Sequence, residues 1–314
     1  MQHESRKPEL RGRPLSVLAS GLLFACALQA AHGQLTVDEF PSLKTQDFSY
    51  VSQERVDGYT DEALQTSVEP FQIFDNLYYV GIEWVGSYLL VTSEGLILID
   101  SLHEPYVETS AENIRKLGFD PADVRYVLGT HGHFDHVGGH AYYQRTFGSR
   151  VGMAAGDWKR AQTDAHREVW GMDMADVDMI IQDGDTLELG EQTMTFYITP
   201  GHTEGVLSME FTLRDGEDTH RAVIYGGSNS LLPDFWRYQT VLGNLRRFKL
   251  LAAQSPSFTV QIPTHPNQGF RERRDRLRTR RPGDAHPFVD DPSVFIEALE
   301  QSERNAERGI LALP

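Results

Sequence analysis

Cysteine is nearly absent from this chain of 314 residues, in which Cys26 is the only one. Because Cys26 has no second cysteine to pair with, no disulfide can form within the chain. This excludes the disulfide frameworks on which many small secreted proteins depend. The fold must therefore be held by a packed core, to which bound metal can add stability.

Long apolar runs are also absent, apart from one near the N-terminus. It covers residues 15–31, and small residues stand at positions 31 and 33, Ala31 and Gly33. Four basic residues precede it: Arg6, Lys7, Arg11 and Arg13. This pattern predicts a signal peptide over residues 1–33, cut before Gln34, and therefore a periplasmic or secreted mature protein.

Two alternatives to a cleaved signal peptide remain for the same run. A membrane anchor is the weaker interpretation, because the run is short for a span of about 20 residues and is interrupted by Ser16, Ser20 and Gln29. A lipoprotein site at Cys26 is the other, although Phe24 fits such a processing site poorly. We expect no stable membrane insertion once the signal is removed.

Basic charge is in the minority, with 29 Lys and Arg against 45 Asp and Glu and a net charge of -16. Residues 1–33 hold four basic and two acidic residues, so their removal changes the net charge from -16 to -18. Such acidity disfavours nucleic acid and anionic membranes as partners and leaves a small-molecule substrate. The exception is the segment 271–281 with seven arginines, interpreted as a solvated, partly helical loop rather than an anion-binding patch.

No linker rich in proline, glycine or serine divides the chain, and short strand patterns occur in both halves. We predict an extension over 34–70 and one catalytic domain over 71–314, built as an α+β fold with two packed sheets flanked by helices. The predicted strands are 71–74, 77–80, 88–91, 96–99, 124–128, 151–154, 179–181, 193–198, 207–212, 222–225 and 258–262. The predicted helices are 105–117, 139–147, 236–253 and 292–308.

A cluster of metal-binding residue types follows the strand 124–128: His131, His133, Asp135 and His136. In an extended segment, residues two apart point the same way, so the first two histidines can share one metal. Asp135 and His136 come where the chain begins to turn, so they can face a second metal nearby. Imidazole is a preferred ligand of zinc, and the cluster therefore predicts a zinc site on a strand-to-helix loop.

Two further histidines occupy the same kind of position, directly after a predicted strand. His202 follows the strand 193–198, and His265 follows the strand 258–262. Strand ends that share one edge of a sandwich converge in space, so both can join the cluster. Five other histidines lack this context and are interpreted as structural or surface residues: His103, His140, His166, His220 and His286.

With these motifs, the sequence resembles the metallo-β-lactamase superfamily. The likeness rests on residues 131–136 (HGHFDH), Pro200-Gly201-His202-Thr203 and Thr264-His265-Pro266, and runs from about Phe71 to the C-terminus. Asp100 matches the family's first motif, in which an aspartate braces the metal loop; the alternative is an ordinary turn residue. The resemblance implies an αββα sandwich with two mixed sheets.

Within the superfamily, the sequence is similar to the subclass B3 metallo-β-lactamases. Glyoxalase II and the lactonases carry a metal-bridging aspartate near Tyr225, where this chain reads Tyr-Gly-Gly-Ser-Asn-Ser over 225–230. The absence of any cysteine after Cys26 excludes the first two subclasses, which use one as a ligand. A further similarity to subclass B3 lies in the segment 284–290 before the last helix.

This resemblance assigns the site residues. One Zn²⁺ would be bound by His131, His133 and His202, and a second by Asp135, His136 and His265, with Asp135 also orienting the nucleophile. Ser228 and Ser230 match the serines that contact the antibiotic's carboxylate. The chain departs from the subclass at four positions that bear on substrate preference: Glu204, Val206, Met209 and Gly227.

The implied function is a di-zinc hydrolase that opens the β-lactam ring of antibiotics through hydroxide generated at the metals. The main alternative is an exported hydrolase of the same fold that acts on another ester, lactone or sulfate ester. A non-catalytic metal-binding protein is a third interpretation, which the complete set of six candidate ligands disfavours.

Overall fold

The computed structural model describes residues 66–162, 171–226 and 234–313. All of them belong to one compact unit. The predicted signal peptide 1–33, most of the extension 34–70, and His166, Ser228 and Ser230 lie outside the described residues.

Seven strands form the first sheet, in the order in which they follow along the chain. They are β1 (Phe71–Phe74), β2 (Leu77–Tyr79), β3 (Tyr88–Thr92), β4 (Gly95–Ile99), β5 (Val124–Leu128), β6 (Arg150–Ala154) and β7 (Met179–Ile181). Strands β1 to β4 are antiparallel. Strands β4 to β7 run parallel, so the carboxyl ends of β5 and β6 lie at the same edge of the sheet.

Five strands form the second sheet, in the order β12-β11-β10-β9-β8. They are β8 (Thr186–Leu189), β9 (Gln192–Ile198), β10 (Leu207–Asp215), β11 (Asp218–Ile224) and β12 (Phe258–Gln261). Neighbours are antiparallel except for β11 and β12, which are parallel. Strand β8 was not predicted, although Leu187 and Leu189 are buried in strict alternation with exposed neighbours.

Helices pack on the outer faces of both sheets. The described helices are α1 (Val107–Lys116), α2 (Phe134–Val137), α3 (His140–Phe147), α4 (Ala155–Ala161), α5 (Phe235–Ala252), α6 (Gln268–Arg278) and α7 (Pro292–Leu311). Helices α1, α3 and α4 contribute apolar side chains to a core shared with the first sheet. Helices α5 and α7 do the same for the second sheet. Helix α4 was missed by the sequence prediction.

Strand β4 shows how period-two alternation builds these layers. Ile97 and Ile99 point into the core between the two sheets, whereas Leu96 and Leu98 point into the core beneath the helices. Successive side chains of a strand point to opposite faces, so a continuous apolar run serves two cores at once. The predicted αββα sandwich is confirmed.

The arginine-rich segment 271–281 forms helix α6 and the turn after it. Its side chains pair with acidic residues from distant parts of the chain, which agrees with the interpretation of a solvated helix among acidic neighbours. The main pairs are Arg271 and Arg274 with Glu83, Arg273 with Asp290, and Arg280 with Asp215. Among the described residues, none of the helices is both long enough and apolar enough to cross a membrane.

Candidate metal centre

The loop that leaves β5 carries the four clustered candidates, as predicted. His131 and His133 lie in its extended part, and His133 has φ -79° and ψ 150° at the start of α2. Nε2 of His131 lies 3.1 Å from Nδ1 of His133, so the two rings converge on one point. Asp135 and His136 occupy the first turn of α2 and face a second point.

His202 completes a first group with His131 and His133. It lies in the turn between β9 and β10, and its Nε2 is 3.1 Å from Nδ1 of His133. One nitrogen from each of the three residues lies within 4.8 Å of the others. The structure thus brings together the three residues that the resemblance assigns to one metal.

His265 completes a second group with Asp135 and His136. Its Nε2 lies 3.1 Å from Nε2 of His136 and 3.5 Å from Oδ2 of Asp135. Oδ2 of Asp135 is in turn 3.1 Å from Nε2 of His136. The two groups adjoin, because the rings of His131 and His136 are only 4.0 Å apart between centroids.

The spacing of these atoms fits zinc. A tetrahedral zinc ion with Zn–N bonds of about 2.0–2.1 Å places two ligand nitrogens roughly 3.3 Å apart. The three nitrogen–nitrogen distances of 3.1 Å are close to that value. Each group offers three ligands, which is the number that catalytic zinc sites use while leaving a position open.

Asp100 braces the loop from behind, as the resemblance implied. Its carboxylate accepts hydrogen bonds from the backbone N–H of Thr130 at 2.7 Å, the Thr130 hydroxyl at 2.9 Å and Nδ1 of His136 at 2.7 Å. Because Nδ1 of His136 donates to Asp100, Nε2 is the nitrogen that a metal can bind once its own proton is lost. Asp100 has φ 59°, a left-handed conformation in which Asp and Asn are enriched.

A backbone carbonyl orients the third ligand of the second group. Nδ1 of His265 lies 2.9 Å from the carbonyl oxygen of Trp84, to which it donates. Nε2 of His265 therefore presents a lone pair to the group. Trp84 lies in the turn between β2 and β3 and was not identified from the sequence, since a backbone carbonyl leaves no mark on residue type.

The three histidines of the first group have lowered pKa values. Burial, together with the neighbouring imidazoles, lowers the pKa of His131 and of His133 well below the ordinary value. Burial and the charge of His136 lower the pKa of His202 to about 4. All three rings are therefore unprotonated at neutral pH and ready to bind a metal.

The second group holds a proton when no metal is bound. Burial alone would lower the pKa of His136, but attraction to Asp135 and Asp100 and hydrogen bonds to both raise it to about 10. Burial would raise the pKa of Asp135, yet the charge of His136 lowers it far below the ordinary carboxyl value. His265 remains neutral, because burial and the charge of His136 lower its pKa.

This difference predicts unequal proton release when zinc binds. We expect the second group to release about one proton per ion at pH 7, since His136 must lose its proton, and the first group to release almost none. The apparent zinc affinity of the second group should then rise about tenfold per pH unit until the pKa of His136 is approached. Calorimetric titration in two buffers of different ionisation enthalpy counts the protons. His265→Ala isolates the first group and His202→Ala the second; equal release from both would contradict the prediction.

The remaining described histidines do not join either group. His103 packs edge-on against Phe134, and His140 shares a hydrogen bond of 2.8 Å with Ser101. His286 stacks on Phe74 and donates to the carbonyl of Ile73, at the opposite end of the sandwich. These contacts agree with the structural role expected from the sequence.

Gly226, directly after β11, packs tightly against the start of β10. A Cβ atom at Gly226 would lie 2.6 Å from the carbonyl oxygen of Leu207 and 2.8 Å from the Val206 side chain. No longer side chain fits there without displacing β10. The next residues, Gly227 to Ser230, lie outside the described residues, so the proposed roles of Ser228 and Ser230 stay predictions.

Comparison with known proteins agrees with this geometry. The family model for the metallo-β-lactamase superfamily matches residues 85–215. The BJP-1 subclass B3 metallo-β-lactamase of Bradyrhizobium japonicum superposes with a TM-score of 0.69 at 25% identity, covering 80% of this chain and 96% of that one. The FEZ-1 metallo-β-lactamase of Legionella gormanii gives a TM-score of 0.68 at 26% identity and covers 78% and 96%.

A curated relative has a different described activity. The hydroxyacylglutathione hydrolase of Rhodospirillum rubrum is 27% identical over 192 residues, which cover 59% of this chain and 65% of the relative, just under two thirds of its length. The solved β-lactamases and this hydrolase are thus named for different substrates. Residues 85–215 of this chain, which include the loop 131–136, therefore carry a metallo-β-lactamase superfamily domain, and the chain shares the fold of the two solved β-lactamases.

Proposed function

We propose that this protein is a di-zinc β-lactamase that acts after export to the periplasm or the outside of the cell. The observation that carries the proposal is the pair of adjoining three-ligand groups, His131, His133 and His202 beside Asp135, His136 and His265. The solved β-lactamases align over nearly their whole length, 96% for both BJP-1 and FEZ-1, which supports a β-lactam substrate.

Zinc, when bound, supplies a nucleophile from water at neutral pH and polarises the carbonyl that is attacked. The chain's own residues hold and orient the reactants. Asp135, buried at the base of the second group, is the catalytic carboxylate: it aligns the attacking water with the substrate carbonyl. Its strongly lowered pKa keeps it ionised and able to accept that water's hydrogen bond.

Substrate orientation is assigned to the loop after β11. Ser228 and Ser230 would donate hydrogen bonds to the carboxylate that β-lactam antibiotics carry, and so would set the ring against the metal groups. Hydrogen bonds to a charged partner contribute roughly 1.5–3 kcal/mol each. The absence of a carboxylate over 225–230 favours a β-lactamase over a hydrolase that bridges its metals with aspartate.

Hydrolysis of a thioester, ester or lactone is the second candidate. The Rhodospirillum rubrum hydroxyacylglutathione hydrolase supports it directly. Glu204, which stands two residues after His202 where β-lactamases of the resembled subclass carry proline, supports only an uncharged ester or lactone, because a half-buried carboxylate there would disfavour β-lactams and glutathione thioesters alike, both of which are anions.

A substrate panel on zinc-loaded protein decides between the two. We expect nitrocefin and a carbapenem to be turned over, and S-lactoylglutathione and an acyl-homoserine lactone to be hydrolysed at least a hundredfold more slowly. Ser228→Ala and Ser230→Ala should each lower kcat/KM for the β-lactams by about tenfold to a hundredfold, mainly through KM. Ser293→Ala, an exposed serine in the first turn of α7, is the matched control. Zinc-dependent turnover of the thioester or lactone alone would reject the β-lactamase proposal.

A further inference from the structure

We infer that Asp157 is a positioning residue for the first metal group, clamping the loop of His131 and His133 to the loop that carries His202. The inference rests on zinc binding in the proposed function but not on the substrate. Asp157 lies in the first turn of α4, directly after β6, and is completely buried. It is not one of the six candidate ligands.

The carboxylate of Asp157 joins two loops that are far apart in sequence. Oδ2 accepts a hydrogen bond from the backbone N–H of Gly132 at 2.8 Å and another from the Thr203 hydroxyl at 2.7 Å. Oδ1 accepts one from the backbone N–H of Gly205 at 3.1 Å. Gly132 lies between two ligands of the first group, and Thr203 directly follows the third. One side chain therefore sets the relative position of all three histidines.

The loop that contains Gly132 and the loop that contains Gly205 both pack tightly against the backbone of Asp157. A Cβ atom at Gly132 would lie 2.7 Å from the carbonyl oxygen of Asp157, and a Cβ atom at Gly205 would lie 2.7 Å from its backbone nitrogen. Both glycines are needed because the backbone of α4 is wedged between the two loops. The hydrogen bonds to the Asp157 carboxylate and the close approach of Gly132 and Gly205 to its backbone both hold the two loops in the same relative position.

The charge of Asp157 is compensated within the same helix. Nε of Arg160 lies 3.9 Å from Oδ1, and both side chains are buried. An ionised carboxylate can accept hydrogen bonds on both oxygens, which its three donors require. An amide cannot, because its NH₂ group would face one of those donors.

The second group does not depend on this clamp. His136 is oriented by Asp100, and His265 by the carbonyl of Trp84. The donors to the Asp157 carboxylate are Gly132, Thr203 and Gly205. Loss of the Asp157 carboxylate should therefore affect one metal group and spare the other, which a general loss of stability would not do.

The test is zinc affinity, measured separately for each group by competition with a chromophoric chelator in the full chain. His265→Ala isolates the first group and His202→Ala the second. Adding Asp157→Asn should weaken zinc binding by roughly 10–100-fold in the His265→Ala background and leave it unchanged in the His202→Ala background. Thr203→Val, which removes one of the three hydrogen bonds and is the milder change, should weaken only the first group, by a smaller factor.

Asp178→Asn is the matched control. Asp178 accepts hydrogen bonds from Arg150 at 2.8 Å and from the backbone N–H of Val151 at 3.1 Å, at the opposite end of β6 from Asp157. Its replacement should lower stability without changing either zinc affinity. Unchanged affinity of the first group in both Asp157→Asn and Thr203→Val, or an equal loss in both groups, would overturn the inference, as would a protein that binds no zinc. Zinc binding without β-lactam turnover would instead reject only the proposed substrate.

Discussion

Replacing His265 with alanine is expected to lower the bound zinc from two ions per chain to one and to reduce β-lactam turnover by about a thousandfold. His265 is one of the three candidate ligands in its group, and its Nε2 faces His136 at 3.1 Å and Asp135 at 3.5 Å. Lewis-acid stabilisation by a metal contributes several kcal/mol to the transition state, and each 1.4 kcal/mol corresponds to about tenfold in rate. Elemental analysis and steady-state kinetics on the same preparation measure both effects.

His220→Gln is the control for the His265 variant. His220 is also a partly buried histidine near a strand end, but it lies at the opposite end of the sandwich and contacts Thr259. It should retain both zinc ions and full turnover. If His265→Ala still binds two zinc ions, the assignment of the second group is wrong.

Replacing Asp100 with alanine is expected to destabilise the metal-free protein by about 3–5 kcal/mol. The change leaves the buried donors of Thr130 and His136 without an acceptor, at roughly 1–3 kcal/mol each, and forces alanine into the left-handed conformation at φ 59° for about 1 kcal/mol more. Zinc binding at the second group should weaken as well, because nothing would then hold the His136 ring. Urea unfolding in the presence of a chelator separates the loss of stability from the loss of metal.

Asp100→Asn separates the backbone effect from the charge. Asparagine tolerates the left-handed conformation, so we expect a smaller loss of stability but a similar loss of zinc from the second group. Asp120→Ala provides the control, since the exposed Asp120 also accepts a backbone hydrogen bond, from Ala122 at 2.9 Å, far from the metal loop. Asp120→Ala should lower the free energy of unfolding by about 1 kcal/mol and leave the zinc content unchanged. If Asp100→Ala lowers the free energy of unfolding by less than about 1 kcal/mol, Asp100 does not stabilise the metal loop as proposed.

Strand β5 and the residues after it show what could be predicted from sequence. The strand occupies Val124–Leu128, as predicted from its β-branched and aromatic residues. That His202 and His265 join the cluster followed from a simple rule, that histidines placed after strands meet at one edge of a sandwich, whereas the division into two groups came from the resemblance. The structure brings together the same two sets of three residues that the motif resemblance assigned.

Asp157 shows what could not be predicted. Its partners Gly132, Thr203 and Gly205 lie 25, 46 and 48 residues away, and two of the three bonds are made by backbone N–H groups. Such contacts depend on the packing of α4 between two loops, which no local pattern encodes. The one available signal was its position, since Asp157 follows β6 at the same sheet edge that receives the ligands from β5.

The placement of the ligands on both sheets has a mechanical consequence. His133 comes from a loop of the first sheet and His202, 69 residues later, from the second; His136 and His265 are paired in the same way across 129 residues. An ion bound at each group would cross-link the two sheets along their common edge. In a chain with a single cysteine, these two cross-links would take the part that disulfides have in many secreted proteins. Stripping the metal should then let the sheets part first at this edge, where amide hydrogen exchange would accelerate before the rest of the core.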